Sequence, residues 1–401
     1  MPGQSHPKST TEPFGLYIHW PFCQSKCPYC DFNSHVRTNG IDETAFLSAY
    51  LKEMQYVAEQ TNQTKLNTIF FGGGTPSLMH QSTIQTLIDE AAKLWPFDKN
   101  IEITLEANPS SVEAKRFKGY HTAGVNRVSL GIQAFQDEDL KKLGRLHTVQ
   151  DAETALDIAM QTFDRVSFDL IYARPQQSPR AWKEELQYAL TKGADHLSLY
   201  QLTIEPGTRF ADLYSHGKLT IPNAQRAQEH YEITQQLCEQ AGFIAYEISN
   251  HAKNGQVCQH NMIYWRYNSY AGIGPGAHGR LAINHKRYAT STWLSPEKWR
   301  EAVQTNGHGI SEYEVLLPQQ QAYEMVLMGL RLNEGISLKR LKTITGFEID
   351  MGKIENLTAK HLINVTPDHL TVTPNGRFVL NHIIETITDC LIMKMEIHER
   401  C

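Results

Sequence analysis

Six short runs rich in β-branched and aromatic residues alternate with longer helical stretches between Leu16 and Leu202, and this alternation narrows the fold more than any other feature of the chain. The runs are LYIHW from Leu16, TIFF from Thr68, IEITLE from Ile101, RVSLGI from Arg127, RVSFDLIY from Arg165 and HLSLYQL from His196. Between them, in stretches such as DETAFLSAYLKEMQYVAEQ and QSTIQTLIDEAAKLW, apolar residues recur at intervals of three and four, the period of a helix with one buried face. Strand and helix repeated in this order predict right-handed βαβ units and a parallel sheet, either an open doubly wound sheet or a full or partial barrel. No internal sequence repeat accompanies the pattern.

Barrels of this kind collect their chemistry at the carboxyl ends of the strands. Here a cysteine loop follows the first run and GGGTP (Gly72 to Pro76) follows the second; Glu106 closes the third, Gln133 closes the fourth and Asp169 sits within the fifth. The fold would bring all five to one face. Cys23, Cys27 and Cys30 are spaced by four and three, with no fourth cysteine beside them. A four-iron cluster normally takes four thiolates, so three leave one iron open to an outside ligand. The competing reading is a structural zinc site completed by His35, although such sites usually close with two separated ligand pairs. The three glycines after a strand let backbone approach a ligand closely, and Thr75 with Pro76 reads as an N-cap and first helical residue. Amide groups exposed there would favour an anionic or polar ligand.

Composition limits the remaining choices. A chain of 401 residues exceeds one typical domain. Its 38 basic and 43 acidic residues leave no basic excess of the kind a nucleic acid partner would require. No apolar run approaches 18 residues and the first residues are polar, so a cytoplasmic protein is expected, meeting membranes at most peripherally through an acceptor. Seven cysteines, an odd number with three of them packed together, do not suggest a disulfide framework. Toward the end, PQQQAYEMVLMGLRL, SLKRLKTITG and MGKIENLTAKHL read as helices, and LTVTPNGRFVL reads as a hairpin turning at Asn375-Gly376. Such an order looks like a winged helix. From Ser311 onward, however, nine Lys or Arg stand against twelve Asp or Glu, which favours a packing or partner domain over a phosphate-binding one.

The spacing Cys23-x3-Cys27-x2-Cys30 with Tyr29 before the last cysteine, followed by Gly72-Gly73-Gly74-Thr75-Pro76, resembles the radical S-adenosylmethionine (SAM) superfamily. In that family SAM chelates the open iron of a [4Fe–4S] cluster, and an electron from the cluster splits its sulfonium to give a 5′-deoxyadenosyl radical. The further segments LEANP, RVSLGIQAFQDEDLKKLGRLHT, FDLIYARP, YQLTIEPGT, YEISNHA and HNMIYWRYNSYAGIGPGAHG narrow the resemblance to the branch containing oxygen-independent coproporphyrinogen III oxidase and the HemW-type haem chaperones. The resemblance implies an α/β fold, a partial (β/α)6 TIM-like barrel with a small winged-helix-like α+β domain at the C-terminus. The corresponding division is a disordered N-terminus at 1–14, a barrel core at 15–240, an extension carrying HNMIYW at 241–310, a C-terminal domain at 311–388 and a tail at 389–401. It also implies cluster ligation by Cys23, Cys27 and Cys30, and a SAM site formed by Tyr17, Phe32, Gly73, Gly74, Thr75, Glu106, Gln133, Arg145 and Asp169.

Two departures favour the chaperone side of this branch. The oxidase pattern has a further cysteine two places after the third, where this chain has Phe32, and a longer segment before the first strand than the 16 residues found here. HNMIYW, from His260 to Trp265, matches a chaperone motif whose histidine is implicated in haem binding, so His260 is the expected axial ligand. The expected function is a haem chaperone with haem as cargo and haem-accepting proteins as partners, membrane-associated acceptors included, with a homodimer also compatible. The alternatives are the oxidase itself and a structural zinc protein with a winged-helix interaction module.

Overall fold

A computed structural model describes residues 12–37, 40–61 and 64–393. Most of the N-terminal segment expected to be disordered, and residues 394–401 of the expected tail, lie outside the described residues. The six runs form β1 (Phe14–Trp20), β2 (Leu66–Gly73), β3 (Phe97–Ala107), β4 (Arg127–Gln133), β5 (Arg165–Tyr172) and β6 (His196–Gln201), each parallel to the next. Their side chains alternate in direction. Ile103 and Leu105, Val128 and Leu130, and Phe168 and Leu170 pack into the main core beneath α1 (Glu43–Thr61), α2 (Gln81–Leu94), α3 (Val149–Thr162) and α4 (Pro179–Leu190). Glu102, Thr104 and Glu106, Arg127 and Ser129, and Ser167 and Asp169 point the other way and give the barrel a polar interior. Helix starts follow the local chemistry: Thr148 and Asp151 form a capping box for α3, and Ser178 caps α4 ahead of Pro179.

The barrel does not close. After α5 (Ala224–Gln240), β7 (Ile244–Ala245) and β8 (Asn250–Ala252) extend the sheet antiparallel beyond β6. On the other side β9 (Ser269–Ile273) runs parallel to β1, and β10 (His278–Ile283), β11 (Lys286–Thr292) and β12 (Ile310–Val315) follow antiparallel. The result is one sheet of twelve strands, to which the extension expected at 241–310 contributes its strands. Buried Glu53 of α1 helps hold it there, accepting hydrogen bonds from the Gly274 and Gly309 amides and the Trp299 indole.

Between β8 and β9 lies α6 (Gln259–Trp265), and α7 (Pro296–Asn306) precedes β12. The C-terminal region has its own core and comprises α8 (Pro318–Gly329), α9 (Leu338–Thr345) and α10 (Leu380–Asp389) around two small sheets. These sheets are β13 (Ile336–Ser337), β16 (His369–Val372) and β15 (Ile363–Val365) in that order, and β14 (Phe347–Ile349) with β17 (Leu391–Met393). Two expectations are corrected here. The hairpin turns between Val365 and His369, whereas Asn375-Gly376 opens a 3-10 turn because the Thr373 hydroxyl takes the Gly376 amide at 3.0 Å. Residues 391–393, expected in the tail, are a strand of the domain.

Candidate functional site

At the carboxyl ends of β1 to β5 lies a cavity of about 180 Å³ lined by Cys23, Cys27, Cys30, Phe32, Gly73, Gly74, Thr75, Glu106, Gln133, Arg145 and Asp169. Eleven residues expected from the sequence thus surround one space. Each cysteine has a hydrogen-bond donor beside it. The Thr75 hydroxyl donates to Cys23 Sγ at 3.4 Å and Arg145 Nη1 to Cys27 Sγ at 3.5 Å, while the Phe32 amide and Ser34 hydroxyl lie against Cys30. Burial pushes the Cys23 and Cys30 thiols up, and these donors oppose it. The donor set fits an iron–sulfur cluster, whose sulfurs accept such bonds. His35 is turned to the Asn33 side chain at 3.2 Å, and among the described residues no three His, Cys, Asp or Glu are gathered tightly enough to hold a single ion. The Cys3His zinc arrangement is therefore not formed.

Beside the cysteines the cavity turns acidic. Burial, then the Asp169 charge, raises Glu106 to about 8. Burial raises Asp169 to about 6 against the pull of Ser198, Arg127 and Ser129. Two buried polar atoms in the lining, Gln133 Oε1 and Arg145 Nε, have no hydrogen-bond partner among the described residues, and Gln133 holds a left-handed φ of 74°. Unpaired buried polar atoms and local backbone strain mark a ligand site. A cofactor with an ammonium group, a sulfonium and ribose hydroxyls suits this wall, so the residues fit SAM.

Some expected residues occupy different roles. Thr75 precedes only a 3-10 turn, Pro76–Leu78, without capping it by its side chain; the hydroxyl goes to Cys23 instead. Two Arg145 nitrogens are already engaged, since besides Cys27 the guanidinium donates to Asn108 Oδ1 at 2.6 Å and to the Gly131 carbonyl at 2.9 Å; its fork does not stand open to a carboxylate. Tyr17 does not line the cavity. Its hydroxyl meets His19 Nδ1 at 2.9 Å, and His19 Nε2 meets the Asn33 carbonyl at 2.9 Å. Phe32 stands at the mouth, 59% exposed, with Leu146 at 73%.

His260 is not brought to this site, and the geometry does not offer it as an iron ligand. It is 1% exposed on α6, with the Thr68 hydroxyl 2.6 Å from Nδ1 and the Tyr264 hydroxyl 2.5 Å from Nε2. Its ring stacks on Phe70 at 5.0 Å between centroids, and its amide donates to Glu102. Glu102 also accepts the Gln259 amide and pairs with Arg165, so the motif helix is anchored to the barrel interior.

The sequence reading missed Asn108, which joins two of the sulfur donors: it accepts from Arg145 and its Nδ2 donates to Thr75 Oγ1 at 3.4 Å. Its position two residues after Glu106, at a strand end before proline, was the available signal.

The chain is similar to known proteins along most of its length. Residues 17–189 match the radical SAM superfamily model, and residues 316–379 match the HemN C-terminal domain. The chain is 37% identical over 380 residues to "Heme chaperone HemW" of Haemophilus influenzae, covering 93% of this chain and 97% of that protein. It is also 37% identical over 340 residues to the mitochondrial "Radical S-adenosyl methionine domain-containing protein 1" of Bos taurus, covering 84% and 77%. Among solved structures, coproporphyrinogen III oxidase (HemN) of Escherichia coli superposes with a TM-score of 0.78 at 20% identity over 96% of this chain and 91% of that one, a likeness of fold.

Proposed function

The chain belongs to the HemW family within the radical SAM superfamily, and from that premise we propose that it is a haem chaperone, binding a [4Fe–4S] cluster and SAM and passing haem to haem-requiring acceptors. One observation carries the cofactor reading: three cysteines, each beside a hydrogen-bond donor, share a cavity with Glu106, Asp169 and Gln133, whose Oε1 has no partner among the described residues. The cargo reading rests on the likeness to a haem chaperone along nearly the whole of both chains.

Cys23, Cys27 and Cys30 would hold the cluster, and Thr75, Arg145 and the Phe32 amide would draw charge from its sulfurs, which tunes the potential. Glu106, Gln133 and Asp169, with the backbone at Gly73 and Gly74, would hold SAM. When bound, this pair supplies one-electron chemistry. Phe32 stands where the oxidase pattern has a further cysteine, so the reading assigns no porphyrinogen decarboxylation to the chain. Acceptors anchored at a membrane belong to the reading; among the described residues, no helix is long and apolar enough to cross one.

The test is anaerobic reconstitution followed by two assays. Cys27→Ala is expected to lose the cluster; a variant with the parent's iron and sulfide content would remove Cys27 from the ligand set. Parent protein loaded with haem is expected to transfer it to an apo-acceptor, and to leave coproporphyrinogen III unchanged beside a working oxidase control. Loss of two carboxyl groups from the porphyrinogen, read by mass, would make the chain an oxidase.

A further inference from the structure

Hydrogen bonds to cluster sulfurs, and the charge around them, set how readily a cluster takes up an electron. In this cavity the side-chain donors on Cys23 and Cys27 both lead back to Asn108, the first residue after β3. Asn108 is half-buried in the cavity lining, and its backbone is fixed from behind. Its amide donates to Glu113 Oε2 at 3.0 Å, and the same oxygen takes the Ser77 hydroxyl.

The chemistry of its neighbours settles which way its side chain points. A guanidinium carries donors only, so the Asn108 oxygen faces Arg145 Nη2, 2.6 Å away, and its nitrogen donates to Thr75 Oγ1 at 3.4 Å. Thr75 has a single hydroxyl proton. Because Asn108 supplies a donor to the hydroxyl oxygen, that proton is left for Cys23 Sγ at 3.4 Å. On the other side Asn108 and the Gly131 carbonyl, 2.9 Å from the same Nη2, hold the guanidinium so that Nη1 meets Cys27 Sγ at 3.5 Å. A carboxylate of the same size could do only half of this. It would keep Arg145 but, as an acceptor, would draw the Thr75 proton away from Cys23.

We propose that Asn108 is the positioning residue that sets the reduction potential of the cluster, by directing the Thr75 and Arg145 donors onto Cys23 and Cys27. The proposal rests on Cys23, Cys27 and Cys30 holding the cluster, the reading given above. One added electron makes the cluster more negative, and donors aimed at its sulfurs stabilise that form, so they raise the potential.

The experiment is an anaerobic redox titration of the full, cluster-reconstituted chain without SAM, followed by electron paramagnetic resonance of the reduced cluster. Asn108→Asp keeps the size of the side chain and is expected to lower the potential by at least about 59 mV, a tenfold change in a one-electron equilibrium. Asn108→Ala is expected to lower it by less, since no charge is added. Thr75→Val is expected to lower it in the parent and to change it little in the Asn108→Asp chain, where the hydroxyl no longer serves Cys23. A parent-like potential in Asn108→Asp overturns the proposal while the cluster reading stands. A fall in Asn108→Asp with a parent-like Asn108→Ala also overturns it, because added charge alone accounts for that result, and so do equal Thr75→Val shifts in both backgrounds. Loss of the cluster from both Asn108 variants makes the residue one of cluster assembly and overturns the tuning role. A parent that assembles no [4Fe–4S] cluster overturns the ligand reading, and the proposal with it.

Discussion

Two buried carboxyl groups facing one cavity hold their protons more tightly than they would in water, and Glu106 and Asp169 carry that effect to about 8 and about 6 from ordinary values of 4.5 and 3.8. The sign for stability follows. Below the ordinary values both groups are protonated in the folded and unfolded chain alike, so neither favours one state. As pH rises the unfolded chain ionises first, and each step toward pH 8 favours unfolding. The thermal midpoint is therefore expected to fall from about pH 5 to about pH 8, and Glu106→Gln to remove much of the slope. A cationic ligand reverses the preference. SAM should bind more tightly at the upper end of this range and release protons, seen as a calorimetric heat that depends on the buffer; a heat independent of buffer would show that the carboxyl groups do not face the ligand. The same substitution should weaken SAM by about tenfold or more, since a hydrogen bond to a charged group contributes about 1.5–3 kcal/mol. Glu106 was legible in the sequence because it closes a strand. The engagement of Arg145 was not, because Cys27 and Asn108 lie 118 and 37 residues away along the chain.

GGGTP was read as a ligand cradle, but at the scale of the element it is first a packing device. Gly73 holds a φ of 114°, and a Cβ there would meet His19 Cε1 and the Trp20 carbonyl at 2.8 Å each. The following amides stitch the turn to the chain entering the cysteine loop, Gly74 donating to the Trp20 carbonyl at 2.7 Å and Thr75 to the Phe22 carbonyl at 2.9 Å. Gly73→Ala is expected to destabilise the protein by about 1–3 kcal/mol through backbone strain alone, measured by denaturant unfolding. Gly73→Val should lose iron and sulfide as well as SAM, because it displaces the start of the loop bearing Cys23. Full cluster content with SAM binding alone abolished would return the glycine to a purely ligand-facing role. The sequence showed that close backbone approach was needed here; it did not show that the approaching group was the chain's own first strand. Asn375-Gly376 was misread for a related reason: the dipeptide permits a hairpin turn, but pairing was decided earlier, where Ile363 to Val365 meets Leu370 to Val372.

Across the whole molecule, the HNMIYW segment and the residues just after it join the two cores. Glu102, reached only by folding, receives the start of α6, and the end of the segment leads into Tyr267, whose ring belongs to the C-terminal core. Arg340 of α9 closes the junction, donating to Arg266 and Tyr267 carbonyls and to Asn268 Oδ1, and Arg280 of β10 pairs with Glu324 of α8 at 2.7 Å. The barrel alternation was plain in the sequence because it is a local periodicity. The motif's structural part was not, since its partners Thr68 and Glu102 stand 192 and 158 residues away. This junction is expected to make the unfolding of the two cores one cooperative event, and the chain carries its own reporter: all six tryptophans, from Trp20 to Trp299, precede the C-terminal region. In the parent, tryptophan fluorescence and hydrogen-exchange protection of α8 to α10 should be lost at the same denaturant concentration. Arg340→Ala removes the bonds from α9 to the Arg266 and Tyr267 carbonyls and to Asn268 Oδ1, and should separate the two, the C-terminal helices exchanging first while the fluorescence transition barely moves. Coincident transitions in that variant would mean that apolar contact through Tyr267 couples the cores without the arginine, and Tyr267→Ala would then be the substitution that uncouples them.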